Sequence, residues 1–260
     1  MRKKLNTFAC KHQKAYFGIL ALIYVIGTAI IAALTSSPWL LALIPLELFI
    51  IYAATASAPS YYIQESLKAL EQCDPYPLLA DIEKLERMNL SKSQIQTTKL
   101  NKASCLIGIG EFEKAKEILE TVDVDLSVPL ADGKFVYYNN LAAVYEKSEE
   151  NTLCLFLSKK ALFIYDCMKE SQAKKKLYFS AECLKATICR LNKDYSTALA
   201  IASAIIAETP YQLAQKAYEC ALAYRELKDF ENEKSALFAV MARCDKLYIA
   251  KEAQKRIEEL

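Results

Sequence analysis

The segment Ala103-Ser-Cys-Leu-Ile-Gly-Ile-Gly-Glu-Phe-Glu-Lys-Ala115 sets a pattern that returns three more times in this chain of 260 residues. Reduced to its outline it is Ala103-x-x-Leu106, a turn at Gly110-Glu111, then Phe112-x-x-Ala115. Ala142-x-x-Tyr145 is followed by a polar turn and Cys154. Ala186-x-x-Cys189 leads to Lys193-Asp194-Tyr195-x-x-Ala198 and then Pro210. Ala221-x-x-Tyr224 leads to Lys228-Asp229-Phe230-x-x-Glu233. A small residue on a first helix lets a second helix approach closely. An aromatic at the start of that second helix fills the groove between them, and the second small position faces the next pair.

The surrounding composition demands helices. Ala, Leu, Lys and Glu dominate, and Gly is confined after residue 60 to Gly108, Gly110 and Gly133, which favours helix. Apolar residues recur at three and four rather than at two. Paired helices are expected near 92–108 and 111–121, 131–148 and 152–169, 173–192 and 195–208, and 210–227 and 230–244. Two more are expected at 62–72 and 78–88, and a closing helix at 246–259. In the last, Lys251, Glu252, Lys255, Arg256, Glu258 and Glu259 make the polar outer face that a terminal repeat needs. Residues 122–128 alternate with period two. A lone strand cannot satisfy its hydrogen bonds, so an extended connector is expected there.

This grammar over 91–245 resembles the tetratricopeptide repeat (TPR). The best matches are Gly110–Ala115 and Lys193–Ala198. The second repeat lacks the aromatic, and the fourth places Glu233 where a small residue is usual. The alanines are 39, 44 and 35 residues apart, against about 34 in the family. The resemblance implies a solenoid that binds a protein or peptide along the concave face of its first helices. By register the exposed inner positions include Asn139, Asn140, Arg190, Tyr218 and Arg225. Asn amides can hold a peptide backbone and Arg can pair with its acids; a solvated helix face is the competing reading of each. A chaperone-tail carboxylate clamp is not expected. Its positions carry Leu100, Ser104, Asn140, Ser180 and Leu184, and only Asn140 matches.

The first sixty residues differ in kind. Residues 1–14 carry Arg2, Lys3, Lys4, Lys11 and Lys14 and no acid. Ala15–Thr35 has no charge, and after Ser36-Ser37-Pro38 a second apolar run extends from Trp39 to about Ala58 with only Glu47 charged. About twenty apolar residues at about 1.5 Å each cross a hydrocarbon core of about 30 Å. Two spans, 15–35 and 39–57, are therefore expected within 15–58, with 59–90 a linker and leading helix pair and 91–260 the repeats. A secretory signal has a similar head, but the first run is long for one and a second follows at once. The basic head places both termini in the cytoplasm. Trp39 suits the outer interface; Tyr16, Tyr52, Tyr61 and Tyr62 suit the inner one. A carboxylate at mid-membrane is costly. Glu47 is expected to bond Thr28 or Tyr24 of the first span, to assist a kink beside Pro45, or to dock on another membrane protein.

The fold class expected is all-α: an N-terminal transmembrane helical hairpin followed by a TPR-like α-solenoid. The nine cysteines are odd in number and lack C-x-x-C spacing, and Cys105, Cys154, Cys183, Cys189 and Cys220 lie among Ala, Leu and Ile, as reduced buried thiols do. His12 is the one histidine, which removes histidine-dependent nucleophile systems and most zinc sites. Gly108-x-Gly110 lacks the third glycine of a dinucleotide loop. A net charge of +2 carries no nucleic-acid footprint. Catalysis, cofactor, metal and small-molecule substrate are not expected. The functional expectation is a membrane-anchored scaffold or adaptor. The alternative is an accessory subunit of a transport or secretion complex that docks through its hairpin, and an enzyme with an unrecognised carboxylate site ranks last.

Overall fold

The computed structural model describes residues 13–56, 62–88, 90–124 and 130–260. The basic head, Tyr61 and most of the 122–128 connector lie outside them, as does the side chain of Tyr16. The described residues form thirteen α-helices and one 3-10 segment, with no strand.

The N-terminal helix α1 is Gln13–Leu34. Its Phe17–Leu34 portion, with mean hydropathy 2.5, is the one helix among the described residues long and apolar enough to cross a membrane. The second apolar run differs from the single helix expected over 39–57. It begins as a 3-10 segment, Pro38–Leu43, and becomes α2 only at Ile44–Ala56. Pro45 explains the division, because it has no N–H to give and its ring clashes with the carbonyl four residues back. Among the described side chains of this hairpin only Ala32 and Ile51 are buried; Leu22, Ile30, Leu34, Trp39, Phe49 and Ile50 are exposed.

The rest is a run of helical hairpins. They are α3 (Gln64–Glu71) with α4 (Tyr76–Glu86), α5 (Lys92–Ile109) with α6 (Phe112–Glu120), and α7 (Ala131–Lys147) with α8 (Asn151–Cys167). Then come α9 (Gln172–Leu191) with α10 (Tyr195–Ala204), α11 (Pro210–Leu227) with α12 (Phe230–Met241), and the single α13, Tyr248–Glu259. One turn closes all five hairpins. Cys73, Gly110, Glu149, Lys193 and Lys228 each take a left-handed conformation, with φ between 59° and 88°. The next residue's N–H returns to a carbonyl five back: Asp74 to Ala69, Glu111 to Leu106, Glu150 to Tyr145, Asp194 to Cys189 and Asp229 to Tyr224, at 2.8–3.0 Å. This is the Schellman closure of a helix end. That next residue is acidic every time, where a carboxylate favours the second helix's start. Asp194 accepts from the Thr197 N–H and Asp229 from the Asn232 N–H. The leading pair thus shares the turn of the repeats.

The small positions hold the hairpins together. Ala103, Ala115, Ala142, Cys154, Ala186, Ala198 and Ala221 are all no more than 3% exposed. Glu233, the eighth, is 0% exposed. Its presence at a small-residue site has a structural reason. Arg225 of the same hairpin reaches Glu233 Oε1 at 2.9 Å, and Arg256 of α13 reaches both oxygens, at 2.8 and 3.2 Å.

The solenoid closes on itself. Lys246, just before α13, meets Asp74 of the first turn at 2.5 Å. Tyr248 stacks edge-on against Phe112 at 5.0 Å, and Glu252 pairs with Lys147 of α7 at 3.2 Å. Gly110 makes room: a Cβ there would lie 3.0 Å from the Tyr248 Cβ. The polar face read on the closing helix therefore divides. Lys251, Lys255, Glu258 and Glu259 are exposed, while Glu252 and Arg256 turn inward to partners.

Candidate partner-binding cavity

Ring closure converts the concave face into a cavity of about 610 Å³, within the usual range of ligand pockets. Its walls come mainly from α5, α7, α9, α11 and the start of α13, with Asn151 and Ser158 contributed by α8. Asn139, Asn140, Arg190, Tyr218 and Arg225 all line it.

Their side chains differ in what they have left to offer. Asn140 is 5% exposed; its amide donates to Ser104 Oγ at 2.9 Å and to the Leu100 carbonyl at 3.4 Å. Asn140 thus ties α7 to α5 rather than facing open solvent as its register implied. Tyr218 is likewise buried, in the apolar cluster with Leu237, Leu247 and Ile249, because α13 covers it. Arg225 is committed to Glu233. Arg190 is paired with Glu146 across α9 and α7, and its Nε is buried without an acceptor. Asn139 is half-buried and makes no side-chain hydrogen bond among the described residues.

Sequence reasoning missed three cavity residues that the structure makes prominent. Glu146 flanks the guanidinium of Arg190. Glu219, buried on α11, accepts from Gln215 Nε2 at 3.0 Å. Burial raises its carboxyl to about 7, the charge of Glu146 adds to the rise, and Arg190 and Gln215 oppose it. Tyr248 brings an aromatic wall from the far end of the chain. The one available signal was a carboxylate standing among small residues, Ala217, Ala221 and Ala223.

In the hairpin, Thr28 Oγ1 lies 2.9 Å from Glu47 Oε1 and 2.8 Å from Oε2. The single hydroxyl proton of Thr28 is thus shared between the two oxygens of the Glu47 carboxylate on the facing helix.

No curated protein matches this chain, and no solved structure does. The family model of the SusR N-terminal TPR domain matches residues 79–247, more than half of the chain. That span runs from α4 to the residue before α13. A TPR domain is a scaffold for protein–protein interaction, and this chain belongs to the SusR N-terminal TPR domain family.

Proposed function

We propose that the protein is a membrane-anchored adaptor that holds a segment of a partner protein in the concave cavity of its repeats. The observation that carries this reading is the cavity itself, formed from first helices of successive repeats and carrying uncommitted polar groups at Asn139 and Arg190 Nε. Tethering raises the local concentration of the repeats at the membrane. The two-span anchor with a cytoplasmic repeat domain rests on the exposed apolar surface of α1 and α2 and on the basic residues ahead of them. The reading assigns the chain no catalytic role.

A photoreactive amino acid at position 139 tests the adaptor reading in the native cell. The expected result is a discrete protein adduct at 139 and none at the exposed position 159. Absence of an adduct at 139 refutes it. Orientation is tested through Cys167, an exposed thiol. A membrane-impermeant maleimide leaves it unlabelled in intact cells and labels it after lysis. Labelling of intact cells would place the repeats outside.

The accessory-subunit reading gains less. The only charged group of the two apolar runs, Glu47, already has a donor inside the hairpin in Thr28, so its presence does not by itself call for a docking partner.

A further inference from the structure

The cavity's charges are unevenly paired. Each cation on its wall already has a carboxylate: Lys147 has Glu252, Arg190 has Glu146, and Arg225 has Glu233. Glu219 has no such partner of its own and is 9% exposed. Arg190 therefore lies in the field of two carboxylates, Glu146 and Glu219. With both ionised, the trio carries one excess negative charge. A buried charge without a counter-charge is costly.

Three ligand types can be weighed against this trio. An anion, such as an acidic side chain of the partner, adds to an existing excess of negative charge. An apolar group leaves the excess in place and desolvates it further. A cation neutralises it. The walls suit a cation as well, because Phe179, Tyr211, Tyr218 and Tyr248 line the same space, and aromatic faces attract ammonium groups.

We infer that the cavity recognises a primary ammonium group of the partner segment, a lysine side chain, through Glu219, with Glu146 and Arg190 setting the local charge. This rests on the adaptor reading and names the chemistry of its partner. It reverses the expectation that Arg190 and Arg225 select acids, since both are already spent on internal carboxylates. The buried Arg190 Nε–H remains for a backbone carbonyl of the same segment.

Proton release on binding offers a readout that needs no mutation. Glu219 is faced by Glu146 of α7, Cys154 of α8, Cys183 and Arg190 of α9, and Tyr248 of α13, with Tyr218 and Cys220 on its own helix. Burial holds the Cys154 thiol up at about 12 and the Cys183 thiol well above its usual value, and both tyrosines are also raised. Glu219, at about 7, is therefore the group poised to exchange a proton near neutral pH. An ammonium seated beside it ionises it and expels that proton.

The experiment is calorimetry on the full chain in mild detergent near pH 7, in two buffers of different ionisation enthalpy. The probes are acetyl-Gly-Gly-Lys-Gly-Gly-amide, its norleucine counterpart and n-pentylamine. The lysine peptide is expected to bind about tenfold more tightly than the norleucine peptide and to release protons. Glu219→Gln, checked for fold by circular dichroism, is expected to bring the two peptides within about twofold. If Glu219→Gln does not fold, proton release by the wild-type chain decides the matter. Equal binding of both peptides without proton release overturns the inference and leaves the adaptor reading standing. Proton release by n-pentylamine with no peptide binding keeps the ammonium site and removes the adaptor reading. No binding by any probe removes both.

Discussion

Glu233 and Arg256 join the last two helices through both oxygens of a carboxylate that has no solvent exposure at all, at 2.8 and 3.2 Å. The pair stands where the repeat pattern calls for a small residue. A small side chain would let α12 approach its neighbour but would leave α13 without a polar anchor. Breaking one side of a buried pair costs about 3–5 kcal/mol, because the remaining charge stays buried. Arg225 still satisfies part of Glu233, so Arg256→Ala is expected at the low end, about 3 kcal/mol. Urea denaturation of the full chain in detergent measures it. A loss below about 1 kcal/mol, the worth of an exposed pair, would mean the bond is ornamental to α13 docking.

The five hairpin turns predict opposite outcomes for two substitutions. Lys193 and Lys228 carry side chains at φ 65° and 61°, where an L-residue costs about 1–2 kcal/mol. Lys193→Gly is therefore expected to stabilise the chain by roughly 0.5–1 kcal/mol, part of that gain being lost to the freer unfolded chain. Gly110→Ala meets the same strain at φ 88° and also drives its Cβ to 3.0 Å from Tyr248. It is expected to destabilise by about 1–3 kcal/mol and to lower protection from hydrogen exchange across α13 in particular. Equal effects confined to the turn would separate Gly110 from ring closure.

The helical pairs were legible because each relies on local signals: apolar spacing, paired positions twelve residues apart across a short polar turn, and, in three of the four repeats, an aromatic at the start of the second helix. The common left-handed residue was legible only at Gly110, since Cys73, Glu149, Lys193 and Lys228 do not advertise a positive φ. Ring closure was not legible. Contacts such as Phe112 with Tyr248 and Asp74 with Lys246 join residues far apart in the chain, and no periodicity records them. The same limit applies to the cavity. Register on the first helices pointed at Asn140, Arg190 and Arg225, but their partners Ser104, Glu146 and Glu233 are fixed by tertiary packing. In the second apolar run Pro45 was visible, yet composition alone extended the α-helix through it.

Thiol reactivity should follow burial. Burial pushes the Cys105 and Cys154 thiols up to about 12, and thiolate is the reactive form. Cys167 at the end of α8 is exposed. Of the described cysteines, Cys167 is expected to react first with a small maleimide, with Cys105 and Cys154 protected until the chain unfolds. Mass spectrometry of timed samples gives the order. Early modification of Cys105 would show that α5 and the leading pair separate readily.

The Thr28–Glu47 bonds make a prediction inside the proposed anchor. Interhelical side-chain hydrogen bonds in membranes are worth about 0.6 kcal/mol on average and at most about 1.7 kcal/mol. Thr28→Val is expected to weaken the hairpin by that amount, and Glu47→Leu to abolish the effect of a second change at Thr28. A double-mutant cycle in bicelles measures the coupling. Recovery of any partner in mild detergent should be unchanged by Glu47→Leu. Loss of the partner would restore the docking reading of the hairpin.

Two buried carboxylates should give stability opposite pH slopes. Glu219 is raised to about 7, by burial first and by Glu146 second. The folded chain then holds a proton that the unfolded chain, near 4.3, has already released. Its contribution is fully present below the unfolded value and is lost as pH rises towards 7. At Glu233 burial alone would raise the pKa, but the hydrogen bonds from Arg256 and Arg225 outweigh it and the net shift is downward. That contribution is present above the unfolded value and disappears as pH falls through the folded one. Between the two windows, around pH 5, both groups favour the fold. Thermal unfolding followed from about pH 4 to 8 should therefore decline on both sides of that point. Glu219→Gln is expected to flatten the neutral side and leave the acid side untouched. If the wild type and Glu219→Gln run parallel between pH 5 and 7, the Glu219 carboxyl is not held protonated in the cavity.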